Sequence, residues 1–133
     1  MGLLKPQPIP ENVEEIGRRV IGCGITVHRI LGPGFKERIY QRAFCLELDS
    51  VGLAFECEKQ ISVPYKHWEI QGHKIDLLVE GLVIVELKAV ACFEYVHSRQ
   101  VVSYLRATKL RLGILLNFNV NILKDEGIKR IAL

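Results

Sequence analysis

Two apolar segments in the middle of the chain carry three ionisable residues. The stretch "KIDLLVEGLVIVELKAV", Lys74 to Val90, contains Asp76, Glu86 and Lys88 among valines, leucines and isoleucines. Its composition predicts two consecutive strands, and Glu80-Gly81 predicts the turn between them. Glu86 and Lys88 lie two residues apart, so they project from the same face of their strand. The fold must therefore place charge on an otherwise apolar part of a sheet.

The number of residues in the turn decides where Asp76 lies. If the loop is odd, with Val79 facing Val83, Asp76 lies across from Glu86 on the same face, whereas a two-residue turn puts them on opposite faces. Two facing carboxylates repel unless a cation lies between them. Mg²⁺ binds such oxygens, with water and substrate phosphate filling its other positions.

Lys88 extends this pattern from metal binding to catalysis. Phosphodiester hydrolysis needs an in-line water and stabilisation of the charge that develops on phosphorus oxygens, and a metal supplies part of both. An ammonium beside the metal ligands can hold the attacking water, lower its pKa and neutralise that charge. The alternative is that Asp76 is only a strand-entry residue and that Glu86 and Lys88 form an exposed surface ladder.

The rest of the chain predicts one α/β (α+β) domain with the element order ααβββαββ. An amphipathic helix begins at Glu11 and ends at "LGPG", and a second helix follows from about Phe35 to Ser50. Three strands, a helix at "EYVHSRQVVSYLRAT", the apolar strand "RLGILLNF" and a last strand "IKRIAL" complete the domain. We predict a single domain over residues 1–133, with residues 1–10 as an extended, proline-rich lead-in and helices covering the sheet.

Composition narrows the class of protein without identifying a ligand. A chain of 133 residues, 49% of them hydrophobic, suits one core. The net charge of +3 permits nucleic acid as a partner, although no block of lysine and arginine stands out. No apolar run approaches the roughly 20 residues of a membrane span and no signal peptide is evident, so we expect a cytoplasmic protein without membrane contact. The four isolated cysteines predict mostly buried thiols rather than a zinc site.

Several segments in order resemble a known superfamily. Asp76 followed by "ELK" resembles the metal-binding signature of the PD-(D/E)xK nucleases, whose αβββαβ core matches the predicted order. The chain is similar more narrowly to the GxxExxY family, through "GFKERIY", "DLLVEG", "IVELKAV", "HSRQVVSYL" and "LGILLNF". The resemblance implies a restriction-endonuclease-like core with a mixed sheet, a nuclease activity, and Mg²⁺ or Mn²⁺ as the cofactor.

The resemblance also implies roles for individual residues. It implies metal ligation by Asp76, Glu86 and the backbone carbonyl of Leu87, and Lys88 as the catalytic base. Glu37 matches a helix glutamate that often faces the same metal, so it is both a catalytic candidate and a further ligand. The remaining catalytic candidate is Gln100, on the helix after the catalytic strand.

Five further residues are candidates for substrate binding: Tyr40, Tyr104, His97, His73 and Lys74. His73 and Lys74 precede Asp76 and are candidates for phosphate contacts, and the other three have structural alternatives. The tyrosines can be core aromatics with a bonded hydroxyl, and His97 can be a helix-start residue. Glu37 can likewise only favour the positive N-terminus of its helix.

Two functions of different class follow. The first is a metal-dependent nuclease acting on phosphodiester bonds of DNA or RNA. The second is a non-catalytic nucleic-acid-binding or assembly module that retains the fold. In both, nucleic acid is the partner, and specificity in so short a chain would come from a homodimer or from an unidentified protein partner.

Overall fold

A computed structural model describes residues 7–133 of the chain. The predicted lead-in over residues 1–10 therefore lies mostly outside the described residues, and residues 7–10 precede the first helix without regular structure. No helix within this described part is both long enough and apolar enough to cross a membrane.

Two helices open the fold, as the periodicity predicts. Helix α1 spans Glu11–Leu31 and helix α2 spans Glu37–Ser50. Between them the Tyr40 hydroxyl donates to the Gly32 carbonyl (2.6 Å) and accepts from the Phe35 N–H (3.1 Å). Helix α2 begins two residues later than expected because this tyrosine holds Phe35 in the connecting loop.

A five-stranded sheet follows, and its order in space equals its order in the chain. The strands are β1 Phe55–Tyr65, β2 Trp68–Val79, β3 Val83–Lys88, β4 Leu112–Asn117 and β5 Ile128–Ala132. Strands β3 and β4 are parallel, joined through α3 (Tyr95–Thr108), and the other neighbouring pairs are antiparallel. The predicted mixed sheet flanked by helices is confirmed. A four-residue helix α4, Leu123–Glu126, was not expected because it is too short to show periodicity.

Helices cover both faces of the sheet. Helices α1 and α2 pack on one face, over a cluster that includes Leu77, Val85 and Leu116. Helix α3 packs on the other face, over a second cluster that includes Ile84 and Leu115. Strand β4 is buried at all six positions, as its unbroken apolar sequence predicts.

A glycine lets α3 lie close to β4. A Cβ added to Gly113 would come within 2.4 Å of Val101 Cγ1, inside the distance that packed side chains tolerate. This close approach fixes α3 directly over the parallel pair β3 and β4.

The hairpin of β2 and β3 has the odd loop. Val79 pairs with Val83 and Leu77 pairs with Val85, and the loop closes through a bond from the Leu82 N–H to the Val79 carbonyl (3.0 Å). The alternative of a two-residue turn is therefore excluded.

The cysteines are less buried as a group than expected. Cys23 and Cys45 are buried, but Cys57 and Cys92 are exposed. Cys57 lies on β1, the edge strand, where most positions are exposed to solvent.

Candidate active site between β2 and β3

The ladder between β2 and β3 ends just before the two predicted metal ligands. Its last backbone pair is Leu77 with Val85, and beyond it side chains replace the backbone partners. The Glu86 carboxylate (Oε1) accepts from the Asp76 N–H at 2.9 Å, and the Asp76 carboxylate (Oδ2) accepts from the Leu87 N–H at 2.9 Å. We call this opening the β2–β3 split. It brings the two carboxylates together without leaving the N–H groups of Asp76 and Leu87 unsatisfied.

Burial and mutual repulsion make this pair hold a proton. Glu86 is only 4% exposed, and burial, followed by the negative charge of Asp76, raises the pKa of Glu86 to about 8. Burial also raises the pKa of Asp76, although the bond from the Leu87 N–H partly opposes that rise. The two backbone N–H bonds hold the carboxyl groups next to one another. Without a cation, the pair therefore carries less than its full negative charge near neutral pH.

Lys88 lies beside this pair and its backbone is held in place. Its charge lowers the pKa values of Glu37, Asp76 and Glu86, although it forms no ion pair within the part of the chain that the structure describes. The Lys88 carbonyl accepts from the Phe118 N–H at 2.9 Å. The ammonium is therefore near the carboxylates and is not committed to any one of them.

A buried asparagine fixes the segment that follows Lys88. Asn117 is 1% exposed, and its side chain accepts from the Val90 N–H (3.0 Å) and donates to the Val90 carbonyl (2.9 Å). In the sequence Asn117 is only a polar residue near the end of an apolar strand. A single polar residue ending such a run was the available signal, because a buried amide must find partners.

Glu37 approaches the split from the other helical layer. It is the first residue of α2 and is half-buried. Burial raises the pKa of its carboxyl group, and the charges of Asp76 and Glu58 add to that rise. Glu37 can favour the positive N-terminus of α2 and also act at the carboxylate pair, because the first residue of α2 lies near both.

Glu58 is a fourth acid at the site that sequence analysis missed. It lies on β1 with a φ of 50°, in the left-handed region that a glutamate rarely adopts. Its carboxylate accepts from the Gln41 amide at 3.0 Å, and its charge raises the pKa values of Glu37 and Asp76. The sequence shows only alternating acids in "FECEK", a pattern typical of an exposed edge strand.

On α3 the structure brings Tyr104 to the site. Its hydroxyl bonds with His73 Nε2 at 2.7 Å, and burial together with the charges of Glu86 and Asp76 raises the pKa of Tyr104 to about 12. Gln100 is half-buried one turn earlier on the same helix. His73 is therefore linked to the site through Tyr104. Its Nε2 is already bonded to that hydroxyl and is not available for the predicted contact with a substrate phosphate.

The other candidates for substrate binding occupy different places. Tyr40 is fully buried and stacks on Phe118, with ring centroids 4.6 Å apart, so it offers no surface to a substrate. His97 accepts the Glu94 N–H at 3.0 Å and completes a capping box, so the helix-start alternative describes it. Lys74 is exposed on β2, two residues before Asp76.

The donors of the split fit a hard divalent cation. Within residues 7–133, no group of three or more histidine, cysteine or acidic side chains converges tightly enough to enclose an ion. Asp76 and Glu86, however, each use one carboxylate oxygen for a backbone N–H and keep the other oxygen free. Mg²⁺ commonly binds through one or two carboxylates and retains several waters, so two free oxygens are sufficient.

A comparison with protein families agrees with this geometry. The family model for the PD-(D/E)XK nuclease superfamily matches residues 14–131. The chain belongs to the PD-(D/E)XK nuclease superfamily. Searches of curated proteins and of solved structures gave no match.

The residues that resemble the motif in the superfamily's name lie at the split. Asp76 and the run Glu86-Leu87-Lys88 have the residue types that the name gives for its acids and its lysine, and Ile75 precedes Asp76 where the name has proline. Ile75 is fully buried and packs in the cluster under α3. The residue at this position therefore contributes to the hydrophobic core.

Proposed function

We propose that the protein is a divalent-metal-dependent nuclease that hydrolyses phosphodiester bonds of DNA or RNA. The observation that carries this proposal is the Asp76–Glu86 pair, in which each carboxylate accepts the backbone N–H at or next to the other acid, with Lys88 two residues after Glu86 on the same strand. Burying two acids together costs free energy, and a fold retains such a cost most readily where a cation offsets it. Superfamily membership supports nucleic acid as the substrate class.

Each side chain has a defined part in this proposal. Asp76 and Glu86 would hold Mg²⁺ or Mn²⁺, with the Leu87 carbonyl as a third ligand, and the ion would polarise the phosphate and acidify a bound water. Lys88 would orient the attacking water and neutralise charge on the phosphorus oxygens. Glu37 would act on the same centre from α2, and Gln100 would position substrate or water from α3.

The finer family assignment is also a proposal. The segment "GFKERIY" carries the GxxExxY pattern. Its glutamate, Glu37, begins α2, and the charge of Asp76 contributes to the rise in its pKa, while its tyrosine, Tyr40, is buried in the core. One motif residue would thus serve chemistry and the other the fold. Self-association into a homodimer, or a protein partner, remains our expectation for how a domain of this size selects its target.

Substitution of Lys88 tests the catalytic part of the proposal. Lys88→Ala should reduce metal-dependent cleavage by roughly 10²- to 10⁴-fold, the usual loss for one general acid-base group. Cleavage would be assayed with Mg²⁺ and Mn²⁺ on single-stranded, duplex and branched DNA and RNA. Metal binding, followed by calorimetry, should persist or strengthen because a competing positive charge is removed.

Two outcomes would contradict a nuclease. An unchanged cleavage rate in Lys88→Ala would show that Lys88 takes no part in catalysis. A binding module in which Lys88 contacts phosphate would give a different result. The wild-type protein would then show no metal-dependent cleavage, and Lys88→Ala would bind nucleic acid more weakly, with a salt dependence reduced by about one counterion.

Glu58→Gln tests whether the fourth acid contributes to the cation site. Removing its charge should weaken Mn²⁺ binding by a few-fold, because Glu58 acts through space rather than as a ligand. Its amide keeps a partner for Gln41, so the fold should be unaffected. A loss as large as that caused by Glu86→Gln would show that Glu58 is itself a ligand.

A further inference from the structure

Strands β1 and β2 continue well beyond the sheet as a two-stranded ribbon. They contain 11 and 12 residues, whereas β3 contains 6, and the pairing of β2 with β3 stops at Leu77. Within the described chain, residues 59–65 and 68–75 are therefore paired only with each other, and we call them the ribbon. Ile61 and Ile75 anchor its base in the cluster under α3.

One face of the outer ribbon is an exposed apolar stripe. Val63 pairs with Ile70 and Tyr65 pairs with Trp68, so these side chains share a face. Tyr65 is 56% exposed and Trp68 is 59% exposed. Aromatic side chains so exposed at the end of a projecting ribbon bury little in this fold and indicate a surface that binds something else.

The charge around this stripe is mostly positive. Residues 59–74 contain three lysines, Lys59, Lys66 and Lys74, and only one acid, Glu69, which accepts from the Ser62 hydroxyl at 2.5 Å. Lys66 lies over the Tyr65 ring at 5.5 Å from its centroid. Exposed aromatics interleaved with lysines favour a polyanion that also presents flat ring faces.

The ribbon starts at the candidate active site. The ladder of β1 and β2 leaves out the positions of Glu58 and Asp76, and the ribbon extends outward from them. A bond between His73 and Tyr104 (2.7 Å) ties it to α3 beside the acid pair. Tyr65 lies seven positions after Glu58, which is roughly 23 Å of strand.

We infer that the ribbon is a binding site for unpaired nucleotides, with bases stacked on Tyr65 and Trp68 and phosphate held by Lys66, in the turn between them. The inference deepens the proposed function, on which it rests for the choice of nucleic acid. Stacking on aromatic side chains tolerates any base, because every base has a π face. A paired duplex hides those faces, so the ribbon favours single-stranded or frayed segments over an intact duplex.

Trp68 is the single tryptophan of the chain and therefore reports directly on this site. Full-length protein in chelator, which prevents cleavage, would be titrated with oligothymidylate and oligouridylate of increasing length and with a blunt duplex. Stacking should quench the emission of Trp68. Affinity should rise with length until the strand spans the ribbon and then level off, and the duplex should bind more weakly.

Tyr65 and Lys66 separate stacking from charge. Tyr65→Ala should weaken binding by roughly 5- to 100-fold, while Tyr65→Phe, which keeps the ring, should bind like wild type. Lys66→Ala should lower the salt dependence by about one counterion, and Lys124→Ala, an exposed lysine on α4, should leave it unchanged.

Three results would overturn the inference. Binding without a change in Trp68 emission, or equal affinity in Tyr65→Ala and wild type, would place the nucleic acid elsewhere. A change in Trp68 emission with protein concentration alone, matched by a dimer in sedimentation, would assign the stripe to a second copy of the chain. Quenching without cleavage of any substrate would leave the ribbon site standing and refute only the nuclease proposal.

Discussion

Replacing Glu86 with glutamine tests the acid pair through the stability of the metal-free protein. The pKa of Glu86 lies at about 8 in the folded chain, against an ordinary value of 4.5. Below about pH 4.5 both the folded and unfolded states hold this proton. As pH rises from there to about 8, the unfolded state releases its proton while the folded state keeps it, so the free energy of unfolding falls.

The size of the effect follows from the same two values. A rise from 4.5 to about 8 corresponds to roughly 5 kcal/mol, which we take as the upper figure because Asp76 shares the proton. Glu86→Gln is neutral at every pH and can still accept the Asp76 N–H. The variant should match wild type within about 1 kcal/mol at pH 5 and exceed its stability by several kcal/mol at pH 8.5.

Urea unfolding in chelator over this pH range measures the difference. The matched control is Glu126→Gln, an exposed acid on α4, whose curve should follow that of wild type. Parallel pH dependences for wild type and Glu86→Gln would refute the raised pKa of Glu86.

The same pair of proteins then reports on the cation. Mg²⁺ or Mn²⁺ at 100 times its dissociation constant should stabilise wild type by about 2.7 kcal/mol through mass action. Glu86→Gln should show little of this shift, because one of two carboxylate ligands is lost. An equal rise in melting temperature in both proteins would mean that the ion binds elsewhere.

Two further predictions concern the fold around the site. Cys45 Sγ and Cys57 Sγ lie 3.0 Å apart, so diamide should oxidise the two thiols to a disulfide. The intact mass should fall by two hydrogens, and the free energy of unfolding should rise by roughly 3 kcal/mol for a loop of this length. Serine at either position should abolish both effects, and a mass unchanged by diamide would contradict the geometry. Gly113→Ala should cost about 1–3 kcal/mol in urea unfolding because its Cβ meets Val101, whereas Gly22→Ala, which has open space around it, should not destabilise the protein; equal stability of the two variants would show that α3 can move away from β4.

Two polar residues outside the acid pair hold neighbouring groups in place. Asn117 fixes the backbone after Lys88, and Tyr104 joins His73 to the acid pair. Substituting Asn117 should therefore disturb the backbone after Lys88, and substituting Tyr104 should release His73 from the site.

The sequence by itself determined the order of elements and the faces of individual strands. The helix of α1, the buried strand β4 and the shared face of Glu86 and Lys88 all follow from local periods, 3.6 residues in a helix and two in a strand. Such periods depend only on the backbone of neighbouring residues. They could be predicted without knowing what each element packs against.

Only the tertiary structure decided which residues meet across the sheet. Both loop lengths between β2 and β3 were compatible with the sequence, and the left-handed turn at Glu80 and Gly81, with φ values of 54° and 66°, selected the one that brings Asp76 to Glu86. Glu58 and Cys57 came near α2 through the path of β1, and Tyr40 was drawn into the core by its bond to the loop after α1. Register between strands is set by turns and by packing between distant segments, and a one-residue change reverses every face, so no local pattern could have fixed these contacts.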